Sequence, residues 1–190
     1  METDQRERSL GPVPVTSRGG ALSREELRVR IESLNRPLLT EWLDLEAQLQ
    51  PNGVDLTLRE VSTYAGAGTI SLNNAQRVLP DLQPLSWNVD EMLQLEPGAY
   101  HVLFNEVIHL PNDIMALGRP RSSLCRAGAT IHSAVWDAGY RGRSTSLLVV
   151  SNQAGIRMQR NARIIQLVLF HLSETTIAGY SGAYQGENLT

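Results

Sequence analysis

The residues best suited to chemistry in this sequence are a short run of arginine and serine and a single aspartate that follows it. The run is Arg121-Ser122-Ser123-Leu124-Cys125-Arg126, and the aspartate opens the segment Asp137-Ala138-Gly139-Tyr140-Arg141-Gly142. Guanidinium groups and serine hydroxyls donate hydrogen bonds that match phosphate oxygens, and a carboxylate can activate a water molecule. The pattern therefore indicates a phosphate-binding site with a base beside it.

Structural interpretations of the same residues are also open. The run predicts one turn of helix that begins at Ser122 and stops at Gly128, with free N–H groups that favour an anion. A second interpretation is that Ser122 only caps a surface turn, whose arginines face solvent. Asp137 taken alone is more typical of a turn than of a base. Cys125 is interpreted as a small apolar filler beside the turn rather than as a catalytic thiol.

A helix is predicted ahead of these residues. Ser23 and Glu26 form a capping box, and the segment Asn35-Arg36-Pro37 ends the helix. Its apolar residues stand at helical spacing or form a staple around the cap. They are Leu22, Leu27, Ile31 and Leu34. The apolar segment over residues 38–45 follows, and its spacing leaves open whether it is helix or strand.

From Val54 onward the chain is typical of β-structure. Apolar residues alternate with polar ones in short runs that Gly, Pro and Asn separate, which predicts a sandwich or a barrel. The clearest runs cover residues 54–59, 99–108, 129–136, 144–150 and 164–172. The fold class predicted from the pattern is therefore mostly β, with a short N-terminal helix.

The composition limits the kind of protein. The 190 residues are 42% hydrophobic and carry a net charge of -3, which suits one domain with a sizeable core. The slight negative charge argues against sequence-independent binding of nucleic acid, which needs a basic face. All 17 basic residues are arginine, so a Schiff-base lysine and a P-loop lysine are excluded.

The single cysteine excludes an intrachain disulfide and a Cys-x-x-Cys metal site. No segment has the apolar length of a membrane span, and the N-terminal residues lack the pattern of a secretory signal. We therefore expect a cytoplasmic protein that binds neither nucleic acid nor a membrane.

The chain is predicted to have three parts. Residues 1–20 mix charge with glycine and proline and are expected to form a flexible leader. Residues 21–178 are expected to form a single domain. Residues 179–190 contain the glycine-rich aromatic segment Tyr180-Ser181-Gly182-Ala183-Tyr184-Gln185-Gly186 and are predicted to be a mobile C-terminal arm that closes a site. An unstructured terminus is the alternative.

Five segments together resemble the motifs of the dUTPase and dCTP deaminase superfamily. Residues 120–128 are similar to its second motif, in which Arg-Ser-Ser-Leu holds a triphosphate. The other four occur in matching order: Pro51-Asn52-Gly53-Val54-Asp55-Leu56, then Trp136-Asp137-Ala138-Gly139-Tyr140-Arg141-Gly142, Asn161-Ala162-Arg163-Ile164-Ile165-Gln166-Leu167, and the segment 180–186. The resemblance implies a distorted jelly-roll-like β-sandwich, the dUTPase-like β-clip, assembled as a homotrimer with active sites at subunit interfaces.

The resemblance also implies roles for individual residues. Asp137 would orient and deprotonate the attacking water, and Mg²⁺ would be carried by the substrate triphosphate without an assigned protein ligand. Tyr140 would lie against the deoxyribose and exclude a 2′-hydroxyl. The other implied substrate contacts are Arg121, Ser122, Ser123 and Arg126 on the phosphates, the main chain of Ile131, His132 and Ser133 on the pyrimidine, Gln166 on the phosphates or the water, and Tyr180, Tyr184 and Gln185 as the closing arm. The His132 side chain is expected to point away. Asp55 is expected either to support the metal through water or to fix a strand start.

The two chemistries of this superfamily need different groups. Zinc-independent deamination needs a glutamate on the strand after the third motif, and residues 143–152 contain no carboxylate, with Leu147 at the equivalent position. Hydrolysis needs a positioned water, a carboxylate and charge neutralisation. The sequence therefore favours hydrolysis of dUTP to dUMP and pyrophosphate. The alternatives are a dCTP deaminase, mono- or bifunctional, and a non-catalytic nucleotide-binding protein of the same fold.

Overall fold

The computed structural model describes residues 20–189. The leader predicted for residues 1–20 lies outside this range except for its last residue. Strands dominate the described residues, as the sequence predicted, and the short N-terminal helix is present. None of the helices in this range is long and apolar enough to cross a membrane.

The helical elements of residues 20–189 are short. They are α1 (Arg24–Ile31), α2 (Leu45–Gln48), α3 (Ser122–Arg126) and a 3-10 turn (Asn74–Gln76). The strands are β1 (Gly20–Ala21), β2 (Leu39–Thr40), β3 (Leu49–Gln50), β4 (Gly53–Ala65), β5 (Asp81–Pro84), β6 (Met92–Leu95), β7 (Gly98–Phe104), β8 (Val107–His109), β9 (Ile114–Pro120), β10 (Ala129–His132), β11 (Arg141–Gly142), β12 (Thr145–Val150), β13 (Ile156–Gln159) and β14 (Arg163–His171).

One large antiparallel sheet organises the fold. Its strands follow the order β1-β14-β4-β7-β12-β10, while β3 and β5 also pair with β4 and β9 also pairs with β14. A three-stranded sheet of β11, β8 and β2 and a two-stranded sheet of β13 and β6 accompany it. The arrangement is the distorted jelly-roll-like β-sandwich that the sequence predicted.

The long strand β4 joins the two halves of the large sheet. Leu56 in its first half pairs with Ile165 of β14, and Val61 in its second half pairs with Val102 of β7. The register shifts after Leu58, where the strand passes from one partner to the other. All five residues are completely buried or nearly so. Residues 53–58 of β4 are all buried, so its apolar residues alternate with polar residues that are also buried, such as Asp55 and Thr57.

The predicted capping box of α1 is formed on one side only. The Glu26 N–H donates to Ser23 Oγ at 3.3 Å. The Glu26 carboxylate, however, accepts from Arg30 Nε at 3.1 Å and lies 2.8 Å from His171 Nε2. It therefore ties the helix to β14 instead of returning to the cap.

The apolar pattern of α1 is right for its first turns and wrong for the last residue assigned to it. Leu27 and Ile31 are buried, as are both leucines of the predicted staple. Leu34 is fully exposed, because α1 ends at Ile31. The Leu38 N–H donates to the Arg30 carbonyl at 3.2 Å, so the chain turns back and the helical spacing does not continue.

Two predicted strand runs are shorter than their patterns suggest. The run over residues 99–108 divides into β7 and β8 at Asn105 and Glu106. The buried Glu106 carboxylate accepts from the N–H and the hydroxyl of Thr57 at 2.9 and 2.6 Å, and burial raises its pKa. The run over residues 129–136 is a strand only as far as β10. The segment of open type, residues 38–45, contains β2 and the start of α2.

Candidate active site

A mostly apolar cavity of about 600 Å³ lies between residues 134–145, the C-terminal segment and the hairpin of β4 and β5. Four of the predicted site residues line it: Asp137, Tyr140, Tyr180 and Tyr184. Its volume is within the range of pockets for small molecules. The cavity is therefore the candidate nucleoside site.

A tight turn holds Asp137 at the cavity wall. Two backbone hydrogen bonds of 3.0 and 2.9 Å pair the preceding Trp136 with β9, and the Tyr140 N–H donates to the Asp137 carbonyl at 3.1 Å. Gly139 has a φ of +86°, and a Cβ there would lie 2.7 Å from Cα of Gly179. The main chain of Asp137 thus closes the turn, as one interpretation predicted, and the residue also lines the cavity. Its role as a base stays a prediction.

Tyr140 forms a buried aromatic wall of the cavity. Its ring meets the ring of Tyr180 edge to face, with 5.7 Å between centroids. Its hydroxyl donates to Glu187 Oε1 at 2.8 Å. Burial, together with the hydrogen bond and charge of Glu187, raises the pKa of Tyr140, so its hydroxyl stays protonated. Burial also raises the pKa of Glu187, and the hydrogen bond from Tyr140 opposes that shift.

The C-terminal segment packs on the third-motif segment of its own chain. The Gly186 N–H donates to the Arg141 carbonyl at 2.7 Å, and the Arg141 N–H donates to Gln185 Oε1 at 2.9 Å. The Gln185 amide donates to the Gly139 carbonyl at 3.0 Å. Gln185 therefore fixes the segment, while Tyr184 lines the cavity under the guanidinium of Arg77, which lies 5.1 Å from the ring. That this segment opens and closes stays a prediction.

The arginine and serine run forms α3, the predicted single turn. Leu124 is buried and anchors the turn, whereas both serines and Arg126 are exposed. Ser122 is the first residue of the helix and Arg121 is the cap position, so the prediction that Ser122 caps the turn is wrong. Cys125 is exposed, which also contradicts its interpretation as an apolar filler. Gly128 follows the helix with a φ of +80°, as the predicted stop requires.

A buried aspartate orients the first arginine of this run. Asp55 Oδ2 lies 3.0 Å from Arg121 Nε and 3.4 Å from Arg163 Nη1. Arg121 Nη1 also donates to the Arg163 carbonyl at 3.3 Å. Burial raises the pKa of Asp55, and the two arginines act in the opposite direction. Asp55 therefore holds two guanidinium groups, and Asp55 Oδ1 accepts no hydrogen bond from the described residues, so it does not fix a strand start in the predicted way. Its support of a metal through water stays a prediction.

Gln166 lies on β14 beside this cluster. It pairs with Asp55 of β4 on one side and with Arg119 of β9 on the other. Directly paired residues of antiparallel strands share one face of the sheet, so the three side chains form a row. Gly53 permits the close approach, because a Cβ there would lie 2.8 Å from Gln166 Nε2 and 2.6 Å from the Leu167 carbonyl oxygen.

The predicted pyrimidine-facing segment lies at the end of the large sheet. β10 is last in the strand order and pairs with β12. Ile131 is buried in the core, Ser133 is half-buried and the His132 side chain is exposed. His132 pairs with Leu147 of β12, and none of the residues of β12 is acidic.

The predicted site residues thus form two separate groups in one chain. The cavity lining contains Asp137 and the tyrosines, but none of the predicted phosphate-binding residues. Those outside it are Arg121, Ser122, Ser123, Arg126 and Gln166. The pyrimidine-facing residues Ile131, His132 and Ser133 are also outside the lining, although the next residues, Ala134 and Val135, belong to it.

Four residues that matter at these groups were not predicted. Arg163 lies inside the motif segment 161–167 and Glu187 directly follows the segment 180–186, and these positions were the available signal. Tyr64 and His101 also line the cavity, with ring centroids 6.4 Å apart. Burial lowers the pKa of His101. These two rings lie together because β4 pairs with β7, and no local sequence pattern predicts that pairing.

Comparisons with known proteins identify relatives of this chain. A protein of Methanosarcina mazei named probable deoxyuridine 5′-triphosphate nucleotidohydrolase is 50% identical over 167 residues, which cover 88% of this chain and 97% of that protein. Proteins of the same name from Archaeoglobus fulgidus and Aeropyrum pernix are 48% and 39% identical, over 88% and 74% of this chain and 97% and 87% of their own.

The fold has a solved counterpart in the 2′-deoxycytidine 5′-triphosphate deaminase of Agrobacterium tumefaciens. The two superpose with a TM-score of 0.64 at 21% identity, over 82% of this chain and 50% of that protein. The family described as dCTP deaminase-like matches residues 21–172. This chain therefore belongs to the dCTP deaminase-like family, within the superfamily of dUTPases and dCTP deaminases and on its dUTPase branch.

Proposed function

We propose that this protein hydrolyses dUTP to dUMP and pyrophosphate. The observation that carries the proposal is the carboxylate of Asp137 in a nucleoside-sized cavity, next to a strand, β12, that bears no acid. Glu187, the other carboxylate of the cavity, is engaged by the Tyr140 hydroxyl. Relatives that are 44% to 50% identical over most of this chain are named for dUTP hydrolysis, which supports the same reaction.

In the proposed reaction, Asp137 orients a water molecule and accepts its proton as the oxygen attacks the α-phosphorus. The bond between the α-phosphorus and the bridging oxygen breaks, and pyrophosphate leaves. Arg121 and Arg126, with the hydroxyls of Ser122 and Ser123, neutralise the phosphate oxygens, and Gln166 approaches the phosphates or the water. Positioning and charge neutralisation supply most of the rate in such reactions.

The nucleoside would be recognised by the remaining predicted residues. The main chain of Ile131, His132 and Ser133 is proposed to pair with the pyrimidine, since β10 ends the sheet and has its outer edge available. Tyr140 would lie against the deoxyribose. Tyr180, Tyr184 and Gln185 would close the site from the C-terminal segment.

We assign Mg²⁺ to the substrate rather than to a protein site. Residues 20–189 contain no group of three or more His, Cys, Asp or Glu side chains arranged to hold a metal ion. Mg²⁺ keeps several of its waters and binds readily through phosphate oxygens, so these residues fit an ion that enters with the triphosphate. It would neutralise charge on the phosphates.

The active enzyme is proposed to be a cytoplasmic homotrimer with its sites between subunits. The separation of the phosphate-binding residues from the Asp137 cavity within one chain supports this, because a neighbouring chain would complete each site. No nucleic-acid or membrane partner is proposed.

Product analysis tests the proposed reaction against both alternatives. The protein is incubated with dUTP or dCTP in the presence of Mg²⁺, and pyrophosphate and ammonia are measured separately. Pyrophosphate from dUTP without ammonia from dCTP is the expected result. Ammonia from dCTP would identify a deaminase, and nucleotide binding without either product would identify a non-catalytic binder.

A further inference from the structure

Glu187 is, beside Asp137, a second carboxylate that lines the cavity. It is half-buried in the cavity wall, and residues 20–189 place no cation in salt-bridge contact with its carboxylate. Its single side-chain hydrogen bond in this part of the chain is the one from Tyr140. Burying a carboxylate in this way costs free energy unless a specific partner compensates for it. The cost of burying this carboxylate therefore indicates that Glu187 has a functional role.

The main chain on both sides of Glu187 is fixed to the segment that precedes β12. The Arg143 N–H donates to the Glu187 carbonyl at 3.0 Å, and Arg143 Nε donates to the Asn188 carbonyl at 3.1 Å. The Asn188 amide donates back to the Arg143 carbonyl at 3.0 Å. The buried Arg143 also pairs with Glu41 at 2.6 Å. These contacts hold the main chain on both sides of Glu187, while its carboxylate contacts the Tyr140 hydroxyl.

The Tyr140 hydroxyl is equally confined. A Cβ at Gly142 would lie 2.6 Å from that oxygen and 3.2 Å from Cγ of Glu187, so the pair fits only because glycine occupies the position. The hydroxyl has one proton to donate, and Glu187 accepts it. Tyr140 therefore offers the cavity its ring and no hydrogen-bond donor.

We propose that Glu187 is a positioning residue for sugar selection, which binds the Tyr140 hydroxyl and keeps Tyr140 an apolar wall for a 2′-deoxy sugar. This inference rests on the proposed function. A ribose 2′-hydroxyl against that wall loses water and finds no free donor on Tyr140, so its oxygen loses a hydrogen bond that water supplied, which is costly. Without the Glu187 carboxylate, the tyrosine hydroxyl is free to donate to a 2′-hydroxyl.

Equilibrium binding of dUMP and UMP to the full chain tests the proposal without requiring turnover. Glu187→Ala should lower the preference for dUMP over UMP by about fivefold or more, the effect of one hydrogen bond. Glu187→Gln should keep the preference within about twofold, because its amide oxygen still accepts from Tyr140. Glu174→Ala, an exposed acid earlier in the C-terminal region and outside the cavity, is the matched control.

A double-mutant cycle with Tyr140→Phe separates positioning from packing. If Glu187 acts through the Tyr140 hydroxyl, Glu187→Ala should change the preference by less than about twofold when Phe replaces Tyr140. Equal weakening of dUMP and UMP by Glu187→Ala, or an unchanged preference, would overturn the proposal. A parent protein that lacks dUTP hydrolysis but shows the expected change in preference would instead overturn the proposed function alone.

Discussion

At the scale of single residues, the cluster around Asp55 holds the Arg121 guanidinium in place without occupying all of its N–H groups. Asp55 binds Arg121 through Nε and the Arg163 carbonyl binds it through Nη1, and the remaining N–H groups of that guanidinium are the ones proposed to contact a phosphate. The Arg121 side chain is 30% exposed, whereas the Asp55 side chain is 1% exposed. A fixed fork loses little conformational freedom on binding phosphate, which favours tight and oriented contact.

Asp137→Asn should abolish most turnover while leaving nucleotide binding intact. The amide preserves the shape of the turn but cannot accept the water proton, and a general base contributes about a hundred- to ten-thousand-fold to rate. Single-turnover hydrolysis of dUTP and the dissociation constant for dUMP measure the two effects. Asp90→Asn, at an exposed aspartate before β6, is the control. Hydrolysis at the parent rate by Asp137→Asn would remove Asp137 from the catalytic role.

At the scale of elements, β9 and the Trp136 segment pack so closely that their spacing depends on the absence of a side chain at Gly118. A Cβ at Gly118 would lie 2.6 Å from Cδ1 of Ile165 and 2.8 Å from Cζ3 of Trp136. Neither neighbour can retreat easily, because Ile165 is fully buried and Trp136 is bound to β9 through its backbone. Since Asp137 follows Trp136 directly, this packing also sets the position of the proposed base.

Gly118→Ala should lower the free energy of unfolding by about 1–3 kcal/mol, the usual cost of overpacking, and should reduce dUTP turnover. Gly98→Ala is the matched control, because a Cβ there would meet Tyr100 at 3.6 Å, an ordinary contact distance. Denaturant unfolding of both variants at one protein concentration provides the comparison. Equal stability of the two variants would show that Trp136 is not held as tightly as described.

The sequence predicted the elements that depend on residues close together in the chain. The capped start of α1, the single turn of α3 and the turn at Gly139 all depend on residues a few positions apart. It was uninformative where sheet register decides: no local signal places His101 beside Tyr64. The sequence did not predict the strand break at Asn105 and Glu106, where the buried Glu106 carboxylate accepts hydrogen bonds from Thr57, a residue distant in sequence.

At the scale of the whole molecule, the two separated groups of site residues predict complementation between chains. Asp137→Asn and Arg126→Ala should each be nearly inactive alone, whereas mixed trimers formed by co-expression should recover activity. In random mixed trimers, about a quarter of the inter-subunit sites would combine an intact Asp137 with an intact Arg126. Arg126 is exposed, so its removal leaves the core unchanged.

Measured activity of the mixed preparation, together with its mass by light scattering, checks this prediction. Each variant co-expressed with a second tagged copy of itself provides the control. Absence of recovery in mixed assemblies of confirmed composition would place both groups of one working site in the same chain. A monomeric mass of the active protein would contradict the proposed trimer directly.

The position of β14 also governs how this chain can fold while it is being synthesised. β14 is the final strand of the described residues, yet it pairs with β1, β4 and β9. Because these three strands are synthesised before β14, the strand edges that pair with β14 stay unpaired until residues near Ile165 leave the ribosome. Pairings between residues so distant in sequence also close slowly. A nascent chain that stalls before β14 therefore exposes strand edges that favour aggregation, and the large sheet is completed only after β14 has been synthesised.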